Sequence, residues 1–397
     1  MGDFMTSTNN VPRVAVTIGL CFLVALLEGL DLQAAGIAAP GMATAFGLDK
    51  LQMGWVFSAG ILGLLPGALV GGWLADRFGR KRILIGSVAL FGLFSLATAH
   101  AWSLPSLLLA RLFTGVGLGA ALPNLIALTS EAAGERLRGT AVSLMYCGVP
   151  LGAALAAGIG IAGYSGEWQR VFHVGGVGPL LILPLLALYL PESGQFRATA
   201  QAEDAPSLGR ELFGQSATWL LWLSYFFTLM VVYILINWLP SLLVGQGFSS
   251  HDASWVMFAL QIGAAIGTLI LGQVLERLPA GVTTALVYLG ILAALAGLGL
   301  ANALPGMLVA GFFAGFFATG GQGVLYALAP YFYPARVRAT GVGAAVAVGR
   351  LGAMSGPLVA GQMLALGAGS AGVLLASAPG VVIAAVALFR LIGRRPA

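Results

Sequence analysis

Charge is what this sequence has least of. Its 397 residues include 19 basic and 14 acidic side chains, 8% of the chain. A water-soluble domain carries about a quarter. So few ionic groups cannot clothe a water-facing surface, which excludes a soluble globular enzyme or regulator and leaves lipid as the main solvent. Cysteine is nearly as scarce. Cys21 and Cys147 both lie in apolar stretches, so a disulfide framework is excluded and buried thiols remain. The three histidines, His100, His173 and His251, stand far apart in sequence and near run ends, so no metal site is expected. Gly158-x-Gly160-x-x-Gly163 has the literal spacing of a dinucleotide fingerprint. It closes an apolar run and follows no strand, so it carries no cofactor reading. Neither a metal, an organic cofactor nor direct use of ATP is expected.

What the chain does have is apolar length: 59% of its residues are hydrophobic. A hydrocarbon core about 30 Å thick needs roughly 20 apolar residues per helix. Twelve runs meet that length, near 14–38, 52–74, 83–100, 104–127, 139–162, 170–190, 215–243, 253–275, 282–301, 304–329, 339–366 and 371–392. The first is too long for the h-region of a signal peptide and contains two acids. The pattern predicts an all-α integral membrane protein. The 58 glycines sit inside these runs, where small residues let helices approach.

The net charge of +5 raises the question of nucleic acid. Placement answers it. With the amino terminus in the cytoplasm, Arg13, Arg77, Arg80, Lys81, Arg82, Arg136, Arg138, Arg197, Arg210, Arg277, Arg336, Arg338, Arg390, Arg394 and Arg395 all fall inside, and only Lys50 and Arg170 fall outside. That is the positive-inside distribution of a membrane protein with both termini cytoplasmic. The partner is a lipid bilayer, not nucleic acid. The longest polar stretch, 191–214, divides the runs six and six. It predicts a cytoplasmic linker between an amino-terminal half (1–190) and a carboxy-terminal half (215–397).

The halves repeat at an offset of 200 residues. Gly72-x-x-x-Asp76-Arg77 matches Gly272-x-x-x-Glu276-Arg277, and Arg136-x-Arg138-x-Thr140 matches Arg336-x-Arg338-x-Thr340. Gly63, Gly67, Gly115 and Gly152 match Gly263, Gly267, Gly315 and Gly352. Six spans separate the copies, so both halves have the same orientation, a parallel repeat about the membrane normal.

Three segments carry a family resemblance: Gly72-x-x-x-Asp76-Arg77-x-Gly79-Arg80-Lys81, Arg111-x-x-x-Gly115-x-Gly117-x-Gly119, and Pro191-Glu192-Ser193. They resemble the motifs of the major facilitator superfamily between helices 2 and 3, in helix 4 and after helix 6. Glu28-Gly29-Leu30-Asp31 resembles the helix 1 signature of the aromatic acid:proton symporters within it. The resemblance implies a twelve-helix fold of two six-helix halves in a bacterial inner membrane. It also implies uptake of an aromatic carboxylate with a proton, and a functional monomer. It assigns a gate to Asp76, Arg77, Gly79, Arg80, Glu276 and Arg277, in which Asp76 docks on the positive amino-terminal end of helix 11.

Four charges lie within the spans, and each costs roughly 2.5–3.5 kcal/mol on insertion scales. Glu28 and Asp31 are three residues apart and share a helix face. Two carboxylates this close in a low dielectric resist simultaneous ionisation, so one can carry a proton. The other reading makes them structural partners of Arg111, which sits at a similar depth; the two readings overlap. Arg350 lies ten residues past Thr340, about 15 Å into its span. An anionic substrate would neutralise it in a two-pronged geometry; an acid of the first half is the alternative partner. Gln33, Tyr146, Tyr233, Asn237, Gln261, Gln322 and Tyr326 are the polar and aromatic residues within spans that could line a cavity for a ring-bearing acid. The expected partners are therefore a small aromatic carboxylate and a proton. Export by proton antiport is the alternative. Pro150 and Gly152 supply only part of an antiporter-like pattern.

Overall fold

The computed structural model describes residues 11–162, 167–192, 216–332 and 338–393. The expected linker, apart from Pro191 and Glu192, lies outside them, as do the side chains of Asp76 and Glu276. The described residues form helices α1 (Val11–Phe46), α2 (Lys50–Phe78), α3 (Arg80–Ala99), α4 (Leu104–Tyr146), α5 (Gly148–Ile161), α6 (Gln169–Tyr189), α7 (Ser216–Gly245), α8 (Ser250–Arg277), α9 (Ala280–Leu300), α10 (Leu304–Leu328), α11 (Arg338–Ala365), α12 (Ser370–Ala376) and α13 (Ala378–Ile392). Among them twelve spans are long and apolar enough to cross a membrane. The fifth, Thr140–Ile161, joins the end of α4 to α5, and the twelfth, Ser370–Ile392, comprises α12 and α13.

Two helices outrun the expected spans. The first span continues from the predicted 38 to Phe46. A proline usually discourages helix in the residue before it, yet α1 runs through Pro40 and ends at Gly47, whose φ of 62° supplies the left-handed turn. The amide of Leu48 then donates to the Ala43 carbonyl at 2.9 Å, a Schellman closure. α4 continues past 127 to Tyr146 and kinks at Gly134 (φ 69°, ψ 177°). Hydropathy measures the slab of hydrocarbon, not the helix, so the charged extension of α4 beyond the slab is invisible to it.

The repeat is present in atomic contacts. A Cβ on Gly63 would strike the carbonyl of Leu112, and one on Gly263 that of Phe312. Gly67 and Gly267 stand in the same way against Val116 and Phe316, and Gly152 and Gly352 against Leu26 and Phe226. Every pair is offset by 200 residues on both partners. In each copy the backbone of one helix therefore touches another directly: α2 on α4 and α1 on α5, then α8 on α10 and α7 on α11. Without a hydrophobic drive between helices in lipid, such close van der Waals approach is a main source of association. The turns repeat as well. Asp49 caps α2 by accepting from the Gln52 amide at 2.7 Å, and Ser249 caps α8 by accepting from the Asp252 amide at 3.0 Å. Trp55 and Trp255, also 200 apart, are both exposed one turn beyond, at a level that suits an interfacial aromatic belt.

The chain clusters into two compact units. One comprises residues 1–34, 62–153 and 169–203, the other 35–61, 154–168 and 204–397. In the second unit, Ser58 on α2 donates to the Met354 carbonyl at 2.8 Å and Trp238 on α7 donates to the Pro357 carbonyl at 3.0 Å. The Phe57 ring meets Trp238 edge-on, 5.2 Å between centroids. Gly54 lies against the Pro357 backbone and Gly160 against Ser254.

Gly152→Leu and Gly352→Leu should each overpack a backbone contact and lower stability by about 1–3 kcal/mol or more. Gly272→Ala, where nothing lies within 4 Å of an added Cβ, should stay within about 0.5 kcal/mol. Melting temperatures of the purified protein in detergent check this; equal effects at all three positions would refute it.

Candidate functional site

In the first unit, α1 carries Glu28, Asp31 and Gln33, all buried. The position of α1 follows from α5: Gly148 lies against the Phe22 backbone, Val149 against Gly29 and Gly152 against Leu26. Arg111 on α4 donates from Nη1 to Asp31 Oδ1 at 2.9 Å. Asp31 is fully buried and Arg111 is 4% exposed. The guanidinium carbon lies 5.4 Å from the centre of the Phe172 ring of α6, a cation–π cover. Asp31 Oδ2 and Arg111 Nε have no hydrogen-bond partner among the described residues. This is a buried ion pair with one oxygen left over.

In the second unit, α7 and α11 meet at Gly352 and Gly356, which press on the backbones of Phe226 and Met230. One turn along, Arg350 donates from Nη1 to the Tyr233 hydroxyl at 2.6 Å. Asn237 donates to the Tyr233 carbonyl at 2.9 Å. On α10, Gln322 donates to the Tyr326 hydroxyl at 2.7 Å, and the Tyr326 ring packs against Tyr225 at 5.6 Å. Tyr225 in turn donates to the Leu325 carbonyl and lies against Gly349. A half-buried guanidinium thus donates to a tyrosine hydroxyl on the helix that also carries Tyr225 and Asn237. Gln261 is buried on α8, and Tyr146 ends α4 half-buried.

At the α2–α3 turn, Gly79 adopts φ 101°. The Glu192 carboxylate fills the space at its side, accepting from the Lys81 amide at 2.9 Å. Arg80 forms an ion pair with Glu131 of α4. Arg77 is exposed, its guanidinium within 5.6 Å of Trp73 and 5.8 Å of Phe78. Arg277, at the end of α8, is also exposed.

The profile of the Major Facilitator Superfamily matches residues 21–306. The chain belongs to the major facilitator superfamily. It is 68% identical over 393 residues to the 3-(3-hydroxy-phenyl)propionate transporter of Escherichia coli (strain K12), covering 98% of this chain and 97% of that one. It is 35% identical over 385 residues to the 4-hydroxybenzoate transporter PcaK of Pseudomonas putida, covering 88% and 86%. Among solved structures, a D-xylose-proton symporter superposes with a TM-score of 0.79 at 18% identity, over 95% of this chain and 97% of that one. That likeness speaks for the fold alone. The chain is a transporter and not an enzyme, as the family resemblance implied.

In this facilitator Asp31, one of the two helix 1 acids, is the partner of Arg111. Several contributors were not foreseen. Glu131 and Glu192 anchor the α2–α3 turn; the cluster of Arg77, Arg80, Lys81 and Arg82 was a sign that acids must come to it, but not which. Phe172 covers the ion pair and gave no sign in the sequence. Tyr225 stands two helical turns before Tyr233, and that spacing could have marked it. His100 and His173, 73 residues apart, bring their rings to 5.1 Å. Among the described residues no three metal-ligating side chains cluster.

Arg111→Gln should strand the Asp31 carboxylate in a buried site, lowering stability by about 3–5 kcal/mol. Adding Asp31→Asn should recover most of that loss. Thermal unfolding of the single and double variants measures the coupling; additive effects would mean that the pair is not coupled.

Proposed function

We propose that this facilitator imports an aromatic carboxylate, 3-(3-hydroxyphenyl)propionate or a close relative, together with a proton, by alternating access across the bacterial inner membrane. The carrying observation is Arg350, a guanidinium within a membrane span that donates to the Tyr233 hydroxyl at 2.6 Å, on a helix whose Gly349 packs against Tyr225 of the Tyr225–Tyr326 ring pair. A guanidinium in this setting takes a carboxylate by two parallel hydrogen bonds, aromatic walls take the ring, and Asn237, Gln261 and Gln322 are of the kind that satisfy a phenol. The 68% identity to the 3-(3-hydroxy-phenyl)propionate transporter supports the substrate class. In this reading Gln33 and Tyr146 are substrate-binding residues as well.

Glu28, Asp31 and Arg111 form the proton-coupling group in this reading. A carboxylate with one oxygen paired and one not is poised between two states: charged while it holds Arg111, neutral when a proton takes the free oxygen. One monoanion and one proton moving together would be electroneutral. The termini face the cytoplasm, 1–190 and 215–397 are the functional halves, 191–214 joins them, and one chain suffices. Asp76, Arg77, Gly79 and Arg80, with Glu276 and Arg277 in the repeat, act as the inner gate. Phe57, Ser58 and Trp238 close the opposite end.

Vesicles reconstituted with the protein should accumulate labelled 3-(3-hydroxyphenyl)propionate when an inward proton gradient is imposed. A gradient without effect on uptake would sink the symport reading. Arg350→Lys keeps the charge but loses the fork, and should raise KM roughly tenfold or more. An unchanged KM would remove Arg350 from the substrate site. A cysteine at Ser58 should react slowly with an impermeant thiol reagent added outside and faster once the outer end opens; reactivity indifferent to substrate and gradient would refute the outer closure.

A further inference from the structure

Chain distance speaks against a metal site among the histidines, but folding brings two of the three together. His100 caps the end of α3, where its backbone amide donates to the Leu96 and Ala97 carbonyls at 3.2 Å. His173 opens the second turn of α6. Both belong to the first unit. Between these helices small residues again make the seam: a Cβ on Gly176 would strike the side chain of Leu96 and the carbonyl of Gly92. About one turn further along the same seam, the His100 and His173 rings stand 5.1 Å apart between centres with their planes at 80°. His100 follows the last residue of the third span, Ala99. It is exposed and His173 is half-buried, so the pair lies at the edge of the packed helices, where an ion can reach it.

Two features suit this pair to a metal ion. The first is the tautomer. His100 Nδ1 stands 2.9 Å from the Leu96 carbonyl oxygen. A carbonyl can only accept, so Nδ1 carries the hydrogen and Nε2 of the neutral ring keeps its lone pair. A carbonyl on the other nitrogen is a common support of metal-binding imidazoles. The neutral His173 ring also offers one lone pair, whichever tautomer it adopts. The second feature is spacing. A tetrahedral ion holds each imidazole nitrogen at about 2.0–2.1 Å, which puts two ring centres on one ion about 5 Å apart. We propose that His100 and His173 form a two-imidazole site for a divalent transition-metal ion such as Zn²⁺ or Cu²⁺. Imidazole suits these ions, whereas Mg²⁺ and Ca²⁺ prefer oxygen ligands. Among the described residues no three metal-ligating side chains cluster, so water fills the other positions and the ion exchanges with solution. Held by both rings, the ion ties the end of α3 to α6 beside Phe172, whose ring covers Arg111. The third histidine serves as a control. His251 lies on α8 in the second unit, its Nδ1 3.9 Å from the Asp252 carboxylate.

The test uses the untagged full chain in detergent, freed of metal, with Cu²⁺ or Zn²⁺ alone as the probe. One Cu²⁺ should bind per chain, and its electron paramagnetic resonance spectrum should show coupling to two imidazole nitrogens. Removing an outer partner of a metal ligand already costs about tenfold in affinity, and a ligand itself matters no less. His100→Gln and His173→Gln should therefore each weaken binding of either ion about tenfold or more and leave coupling to one nitrogen, while His251→Gln changes neither. Zn²⁺ should raise the melting temperature of the original chain and of His251→Gln, because it binds the folded form, but not that of the other two variants. Mg²⁺ should raise none of them. A one-nitrogen spectrum from the original chain would overturn the site without recourse to any variant. Binding that survives both His100→Gln and His173→Gln, or that is lost in His251→Gln, would overturn it too.

Discussion

Close contact between helix backbones, made where glycine stands in the seam, is the constraint on which the rest depends. Lipid offers no hydrophobic reward for pairing helices, so shape has to supply it. Gly148 and Gly152 let α5 touch α1 from Phe22 to Gly29, and that fixes the rotation of α1. Asp31 comes two residues after Gly29 and is thereby turned to Arg111. Gly352 and Gly356 do the same for α11 on α7 and bring Arg350 to Tyr233. The positions of all three charges are consequences of where side chains are missing.

On this repeated scaffold the chemistry is not repeated. The α1–α5 seam of the first unit serves an acid, an arginine and an aromatic cover. The matching α7–α11 seam of the second serves an arginine with tyrosines. At the offset of 200, Glu28 and Asp31 correspond to Thr228 and Val231, and Arg111 to Gly311. Thr228 makes a neutral hydrogen bond with Tyr288 at 2.9 Å where the first copy has an acid. A duplicated frame has thus been given an ion pair in one copy and a ring-lined cation in the other. That division suits a transporter in which one copy handles the proton and the other holds the anion.

The two arginines also show how surroundings set a charge's work. Arg111 has its anion and an aromatic face within the protein, so in the proposed cycle it holds Asp31 and is released from it. Arg350 is less buried and donates to the Tyr233 hydroxyl. In the proposed import it is the group that takes the carboxylate of the substrate.

The sequence by itself determined the class of solvent, the number of spans, the 200-residue repeat and the identities of the embedded charges. Each of these depends on composition and on local periodicity, which no partner helix can change. It also placed Asp31 and Arg111 at one depth, because rise per residue is constant along a helix. Only the tertiary structure decided which way each helix faces. Asp31 meeting Arg111 with Oδ1, Glu131 reaching Arg80, Glu192 filling the side of Gly79 and Tyr225 packing against Tyr326 are all contacts between segments far apart in the chain. The period of an apolar helix does not reveal its rotation, because in lipid both its faces are apolar. Rotation is set by the seams, and a seam exists only when two helices have met.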